Sequence, residues 1–212
     1  MTIKIPLMAV AFTCAGAFGA AAQDILVLGG GKAELTFPSD GAHQDLSLYA
    51  EIERAGFYGG ALGLIGMDQA ANKVKFYAGY RAETAKGFTY DLSYTRFIYP
   101  NDGGDCCGEI ALSFGQPIGK NLTLSTEIAY DPDVSLGTLE LGAEYDLSEK
   151  MALSVNLGMS QHSVGPTEKT WDLGVGYDLS DATSIDLRYY DGPDLKGYMG
   201  VAVSFETNLL GG

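Results

Sequence analysis

Residues 170–192 read TWDLGVGYDLSDATSIDLRYYDG, and their apolar positions fall on every second residue. Trp171, Leu173, Val175, Tyr177 and Leu179 share one face, while Asp172, Gly174, Gly176 and Asp178 share the other. After a short polar turn, Ile185, Leu187 and Tyr189 oppose Asp186, Arg188 and Tyr190. A period of two marks β-strands whose two faces meet different surroundings. The octet LGVGYDLS at 173–180 has a sibling, LGAEYDLS, at 141–148, so the repeating unit is about one hairpin, as in an up-and-down β architecture.

Outward from this pair, alternation predicts strands near 46–55, 57–66, 73–83, 87–99, 109–116, 121–130, 138–147, 151–161, 170–179, 184–190 and 197–206, with a weaker one at 32–37. Most have about 9 to 11 residues, the length that crosses a bilayer at a tilt, against about 5 to 6 for ordinary soluble strands. Tight turns (RAG, TAKG, PIGKN, LSEK, LSDAT) alternate with longer, more acidic loops such as PSDGAHQD, YPNDGGDCCG and DPDVSLG. Short turns at one end and longer loops at the other characterise outer-membrane barrels. The expected fold is therefore all-β: an antiparallel, up-and-down transmembrane β-barrel of about twelve strands, with both termini on the short-turn, periplasmic side. Residues 25–32 read as a flexible leader, and LGGGK at 28–32, which lacks phosphate-loop spacing, as a hinge.

One face of the central segments carries Val74, Phe76, Tyr80, Leu92, Tyr94, Ile110, Leu124, Ile128, Leu141 and Val155. The other carries Ser, Thr, Gly and carboxylates. Arg54 and Arg96 fall on the greasy face but near strand ends, where an arginine facing lipid costs about 0 to 1 kcal/mol instead of about 2 to 4 at midplane. Tyr80, Tyr94, Tyr130, Tyr145, Trp171, Tyr177, Tyr189 and Phe205 lie mostly toward segment ends, where an interfacial aromatic girdle belongs. A secreted soluble barrel with inverted faces is the alternative. Its solvent face should be rich in lysine, and this one is not.

The address agrees with the membrane reading. Residues 1–22 form an expected export signal, with Lys4 as the basic start, IPLMAVAF as the apolar stretch and AAA before Gln23. The barrel then spans 23–212. With 12 of the 13 basic residues and all 27 acidic ones, the processed chain has a formal charge of 12 − 27 = −15, which excludes nucleic acid as a partner. The expected partners are outer-membrane lipid and lipopolysaccharide, the barrel-assembly machinery, and small solutes or cations. YMGVAVSF at 198–205 resembles the terminal insertion signal of outer-membrane barrels, although ETNLLGG follows it.

The stretches AEIERAGFYGG, KFYAGYRAETAKGFTYDLSYTRFIYPN and GEIALSFG carry a resemblance. Its elements are Gly56-Phe57-Tyr58-Gly59, Tyr77-Ala78-Gly79-Tyr80, Tyr90-Asp91 with Tyr94, Tyr99-Pro100 and Gly108-Glu109. In these the chain resembles a family of uncharacterised proteobacterial outer-membrane proteins, the Gcw-chp type. The resemblance implies an outer-membrane barrel and supplies neither a substrate nor catalytic residues.

The polar face is where chemistry is expected. The predicted lumen lining is Asp91, Glu109, Glu127, Glu140, Glu144, Asp172, Asp178 and Asp186, with Lys75, Arg81 and Arg188 as the cations. Glu51, Glu53 and Asp146 fall on the same face, and glycines 79, 142, 158, 174 and 176 leave space beside the carboxylates. Such a field, focused by low-dielectric walls, favours cations and predicts a narrow, cation-preferring channel for small solutes. The alternative is an interior closed by pairs such as Asp186 or Glu144 with Arg188 or Arg81, serving a structural or surface-interaction role. No catalytic residue, metal site or cofactor is expected. His43 and His162, in predicted outer loops, have no spacing that assembles a hydrolase, which ranks last. Cys106 and Cys107, adjacent in a predicted loop, could form a vicinal disulfide or join Asp102, Asp105 and Glu109 around a metal, a thin site without histidine. The acidic loops, with Asp40, Asp102, Asp131, Asp133, Asp191 and Asp194, are either solubilising or sites for Ca²⁺ or Mg²⁺.

Overall fold

A computed structural model describes residues 25–66, 72–101, 103–162, 165–193 and 195–211 of the chain. The expected export signal at 1–22, together with Asp102 and Asp194, lies outside them. Alternation becomes twelve strands: β1 (Leu26–Phe37), β2 (His43–Arg54), β3 (Phe57–Gly66), β4 (Lys73–Glu83), β5 (Thr89–Tyr99), β6 (Gly104–Ile118), β7 (Leu122–Asp131), β8 (Leu136–Ser148), β9 (Met151–His162), β10 (Glu168–Ser180), β11 (Thr183–Gly192) and β12 (Leu195–Leu210). Each pairs antiparallel with its chain neighbours. β1 also pairs with β12, from Phe37 opposite Met199 to Val27 opposite Leu210, and this closes the sheet into a barrel without an edge.

Four expectations are corrected. Residues 26–32 are neither leader nor hinge; they are the first half of β1, laddered to β2 on one side and β12 on the other. Gly29, Gly30 and Gly31 are regular strand residues, and the Tyr49 ring occupies the space a side chain at Gly30 would need. The cysteine pair lies inside β6, not in a loop, and His43 opens β2. β12 continues past Phe205 to Leu210, so the aromatic of the insertion signal is internal to the strand.

The two-residue turn between β2 and β3 shows how local chemistry sets the hairpins. Ala55 and Gly56 join Arg54 to the opposing Phe57, with φ of 55° and 82°. Two consecutive positive φ values match the twist of the flanking strands, and glycine supplies the second without strain.

The barrel is inside out relative to a soluble protein. Ile128 is 51% exposed, Leu157 54% and Leu187 49%, all outward, whereas Asp172 is 0% exposed and Arg188 8%. An apolar outer band of this kind has hydrocarbon as its natural neighbour. Aromatic residues bound it at both ends. Near the short turns, rings on β3 to β6 and the β4–β5 turn form a chain: Phe57 to Tyr80 at 4.8 Å, Tyr80 to Tyr90 at 6.3 Å, Tyr90 to Phe88 at 6.5 Å and Phe88 to Phe114 at 5.9 Å. Tyr145, Tyr177 and Phe205 continue this end on β8, β10 and β12. Toward the long loops stand Tyr94, Tyr130 and the pair Trp171 and Tyr189, whose centroids are 5.6 Å apart.

Inward tyrosines sit over glycines. Tyr58 lies opposite Gly79 and Tyr77 opposite Gly60, two reciprocal pairs across β3 and β4. A Cβ at Gly60 or Gly79 would meet the facing tyrosine's Cζ at 2.6 Å. The glycines are seats for rings.

Candidate functional site: the barrel interior

Strand parity turns the polar set into the lumen. Asp91 on β5, Glu109 on β6, Glu127 on β7, Glu140 and Glu144 on β8, Asp172 and Asp178 on β10, Asp186 and Arg188 on β11, and Lys75 and Arg81 on β4 all occupy the face opposite the exposed apolar band. They do not form one site. Two arginine-centred clusters and an acidic wall divide the interior.

The first cluster lies near the short turns on β2 to β5. Arg81 pairs with Glu51 through Nη2 and approaches Glu53 at 3.3 Å through Nε, while its guanidinium lies 3.9 Å from the Tyr58 ring centroid. Tyr58 donates its hydroxyl to Asp91 at 2.6 Å. Each carboxylate is thus answered by a donor, as burial in a low-dielectric wall requires. Tyr49 on β2 donates in the same way to Glu206 on β12.

The second cluster ties β9, β10 and β11 together. Arg188 forks onto Asp186 with two bonds of 3.1 Å, pairs with Asp172 through Nη1, and donates to Ser154 at 2.9 Å. Asn156 donates to the same Asp172 oxygen at 2.9 Å. Gly174 leaves room for this guanidinium, as a Cβ there would meet Arg188 Cζ at 2.6 Å. The space expected beside Gly79 and Gly174 is therefore occupied, by Tyr58 and Arg188. Of the pairs weighed for a closed interior, Asp186 with Arg188 is present, and Arg81 takes Glu51 and Glu53 as its partners.

Between the clusters runs the acidic wall. Glu127 and Glu140 stand directly opposite each other on β7 and β8, with Glu144 two inward positions further along β8. Ser113 donates to Glu127 at 2.8 Å. Neither strand contains a lysine or arginine. Directly opposed like charges are unfavourable and draw cations or water between them. Lys75 lies with its Nζ 5.2 Å from the Phe97 ring centroid, both in the half of the lumen toward the long loops.

Parity also brings inward residues that the predicted lumen lining did not include. Glu34, Asp45, Lys73 and Asp131 face inward, as do Tyr49, Tyr58, Tyr77, Tyr190 and Tyr198; Tyr190 donates to Glu34 at 3.2 Å and stacks on Tyr198 at 4.9 Å. Lys32, where the expected leader meets the weaker strand expected at 32–37, pairs with Glu34 at 2.8 Å. The same period-two count, carried back through the glycines to residue 26, would have found the β1 residues.

On β6, Cys106 and Cys107 are joined by a disulfide, with Cys107 opposite the inward Phe97. Among the described residues no group of histidine, cysteine, aspartate or glutamate is arranged to hold a metal ion. Asp131 is buried and caps its own turn, accepting from the backbone N–H groups of Asp133 and Val134.

The match to a family model runs over residues 48–206, three-quarters of the chain, and includes both tyrosine–glycine pairs and the acidic wall. The chain belongs to the Gcw_chp family of bacterial proteins of unknown function. No curated sequence matches it. Among solved structures it is similar to the KdgM porin, with a TM-score of 0.66 at 11% identity over 84% of this chain and 98% of that one. The NanC porin aligns at 0.62 and 11% identity, over 87% and 100% of the two chains. Outer membrane phospholipase A from Escherichia coli aligns at 0.54 and 13% identity, over 86% and 90%. At such identities the likeness is one of fold. This Gcw_chp chain has the barrel architecture of outer-membrane porins.

Proposed function

We propose that this chain is exported to the outer membrane and forms a narrow, water-filled channel that passes small solutes and prefers cations. The observation that supports this reading is the β7–β8 wall, where Glu127, Glu140 and Glu144 face the lumen on strands without a basic residue. Arg81 pairs with Glu51 and Glu53 and Arg188 with Asp172 and Asp186, so the direct partners of both lumen arginines lie outside this wall. Twelve strands lie between the small barrels that side chains fill and the larger open porins. Within that range, the sign of the wall decides which ions enter. One of the similar structures is described as the KdgM porin in complex with disordered oligogalacturonate. Galacturonate is anionic, and an acidic wall repels it, so shared architecture goes here with the opposite charge preference.

The test is the reversal potential in a planar bilayer under a salt gradient, for the natural chain and for Glu127→Gln, Glu140→Gln and Glu144→Gln combined. The natural chain should reverse on the cation side and the triple variant should move toward zero. An unchanged reversal potential removes these residues from the conducting path. A second reading, a closed barrel braced by the Arg81 and Arg188 clusters, is favoured if no conductance steps occur.

A further inference from the structure

The disulfide sits on a fault in the β5–β6 ladder. Phe97 faces Cys107 and Ile98 faces Asp105, so Cys106 is an extra, unpaired residue, a β-bulge. In a regular strand, neighbouring side chains point to opposite faces and their sulfurs stand apart. The bulge is what lets two adjacent cysteines bond, and the bond in turn holds the bulge. Cys106 is exposed, while Cys107, on the lumen face opposite Phe97, is only 7% exposed, so Cys106 is the more accessible of the two.

The bulge also decides where Asp105 points. Paired with Ile98, Asp105 is on the outward face, where Arg96 holds it with bonds of 2.6 and 2.8 Å and reaches Asp133 of the β7–β8 loop at 2.8 Å. Without the bulge, Ile98 would face Cys106 and Tyr99 would face Asp105. A one-residue slip moves a side chain to the other face. Asp105 would then share the lumen face with Tyr99, and Arg96 would lose one of the two carboxylates it joins.

We propose that Cys106–Cys107 is a thiol-exchange site that switches the outer mouth of the barrel between a braced, bulged state and a slipped state. A thiolate from an external dithiol attacks the exposed Cys106 sulfur, forming a mixed disulfide and releasing Cys107 as a thiol after protonation. The second thiol of the reagent then closes its own disulfide and frees Cys106. Two electrons pass from the dithiol to the protein disulfide, and the products are two cysteine thiols and the oxidised reagent. The freed strand takes the regular register, carrying Asp105 inward.

The experiment uses the full processed barrel in lipid vesicles, with and without dithiothreitol, read by peptide-mapped alkylation and amide hydrogen exchange. Before reduction Cys106 and Cys107 should resist iodoacetamide; after it both should be alkylated. Exchange over residues 96–108 should rise about tenfold while the β9–β11 strands stay unchanged. The Cys106→Ser, Cys107→Ser double variant should exchange at the fast rate whether or not reductant is present. Alkylation before reduction, resistance to reduction, or reduction without a change in exchange would each overturn the switch. These readouts need no conductance, so a barrel that never conducts would sink the channel reading and leave this one standing or falling separately.

Discussion

Gly79 and Arg188 show how single residues hold the interior. Gly79 is flat under the Tyr58 ring, and a Cβ would also meet the Leu92 carbonyl oxygen at 2.6 Å. Neither the backbone nor a tyrosine bonded to Asp91 can withdraw easily. Gly79→Ala should therefore destabilise the barrel by about 1–3 kcal/mol, the usual cost of overpacking, measured by urea unfolding from vesicles. A neutral substitution would mean that the ring is not seated there. Arg188 is a different case, because removing it strands Asp172, which is 0% exposed. Arg188→Ala should cost about 3–5 kcal/mol in the same measurement, and most of that should return when Asp172→Leu is added, because the loss comes from an unanswered buried charge. An Arg188→Ala barrel as stable as the parent would contradict the pairing.

Strands were legible where alternation was dense. β3 and β4 fall at the residues expected from period two, and β10 and β11 nearly so, because Leu, Val and Tyr alternate there with Asp and Gly. β1 was hidden by its three glycines, which carry no side chain to mark a face; the ladder partners Leu48 and Tyr49 supply the bulk instead. β6 was read too short because the bulge at Cys106 breaks the period, and β12 because the expected terminal aromatic is followed by five further strand residues, 206–210. At this scale the decisive prediction concerns the outer face. Ile128 on β7 is 51% exposed between the aromatic belts. In a water-soluble barrel Ile128→Arg would be harmless. With lipid outside it should cost about 2–4 kcal/mol in folding into vesicles, and a wild-type folding energy would contradict that.

For the molecule as a whole, charge and parity together made the lumen face readable from sequence, but not its division into clusters. The pairing of Arg188 with Asp186, two residues away on one strand, was legible, whereas those of Arg81 with Glu51 and of Arg188 with Ser154 depend on register between segments 30 and 34 residues apart, which no local pattern encodes. The account rests on the apolar band meeting hydrocarbon, and the chain carries its own probe of that contact. Trp171 is the only tryptophan and lies outward, beside Tyr189 in the belt toward the long loops. The most direct measurement is the fluorescence of the unmodified protein reconstituted in vesicles with brominated acyl chains. Strong quenching by the brominated lipid, with little from an aqueous quencher, is the predicted result; emission indifferent to the lipid and quenched from water would contradict it.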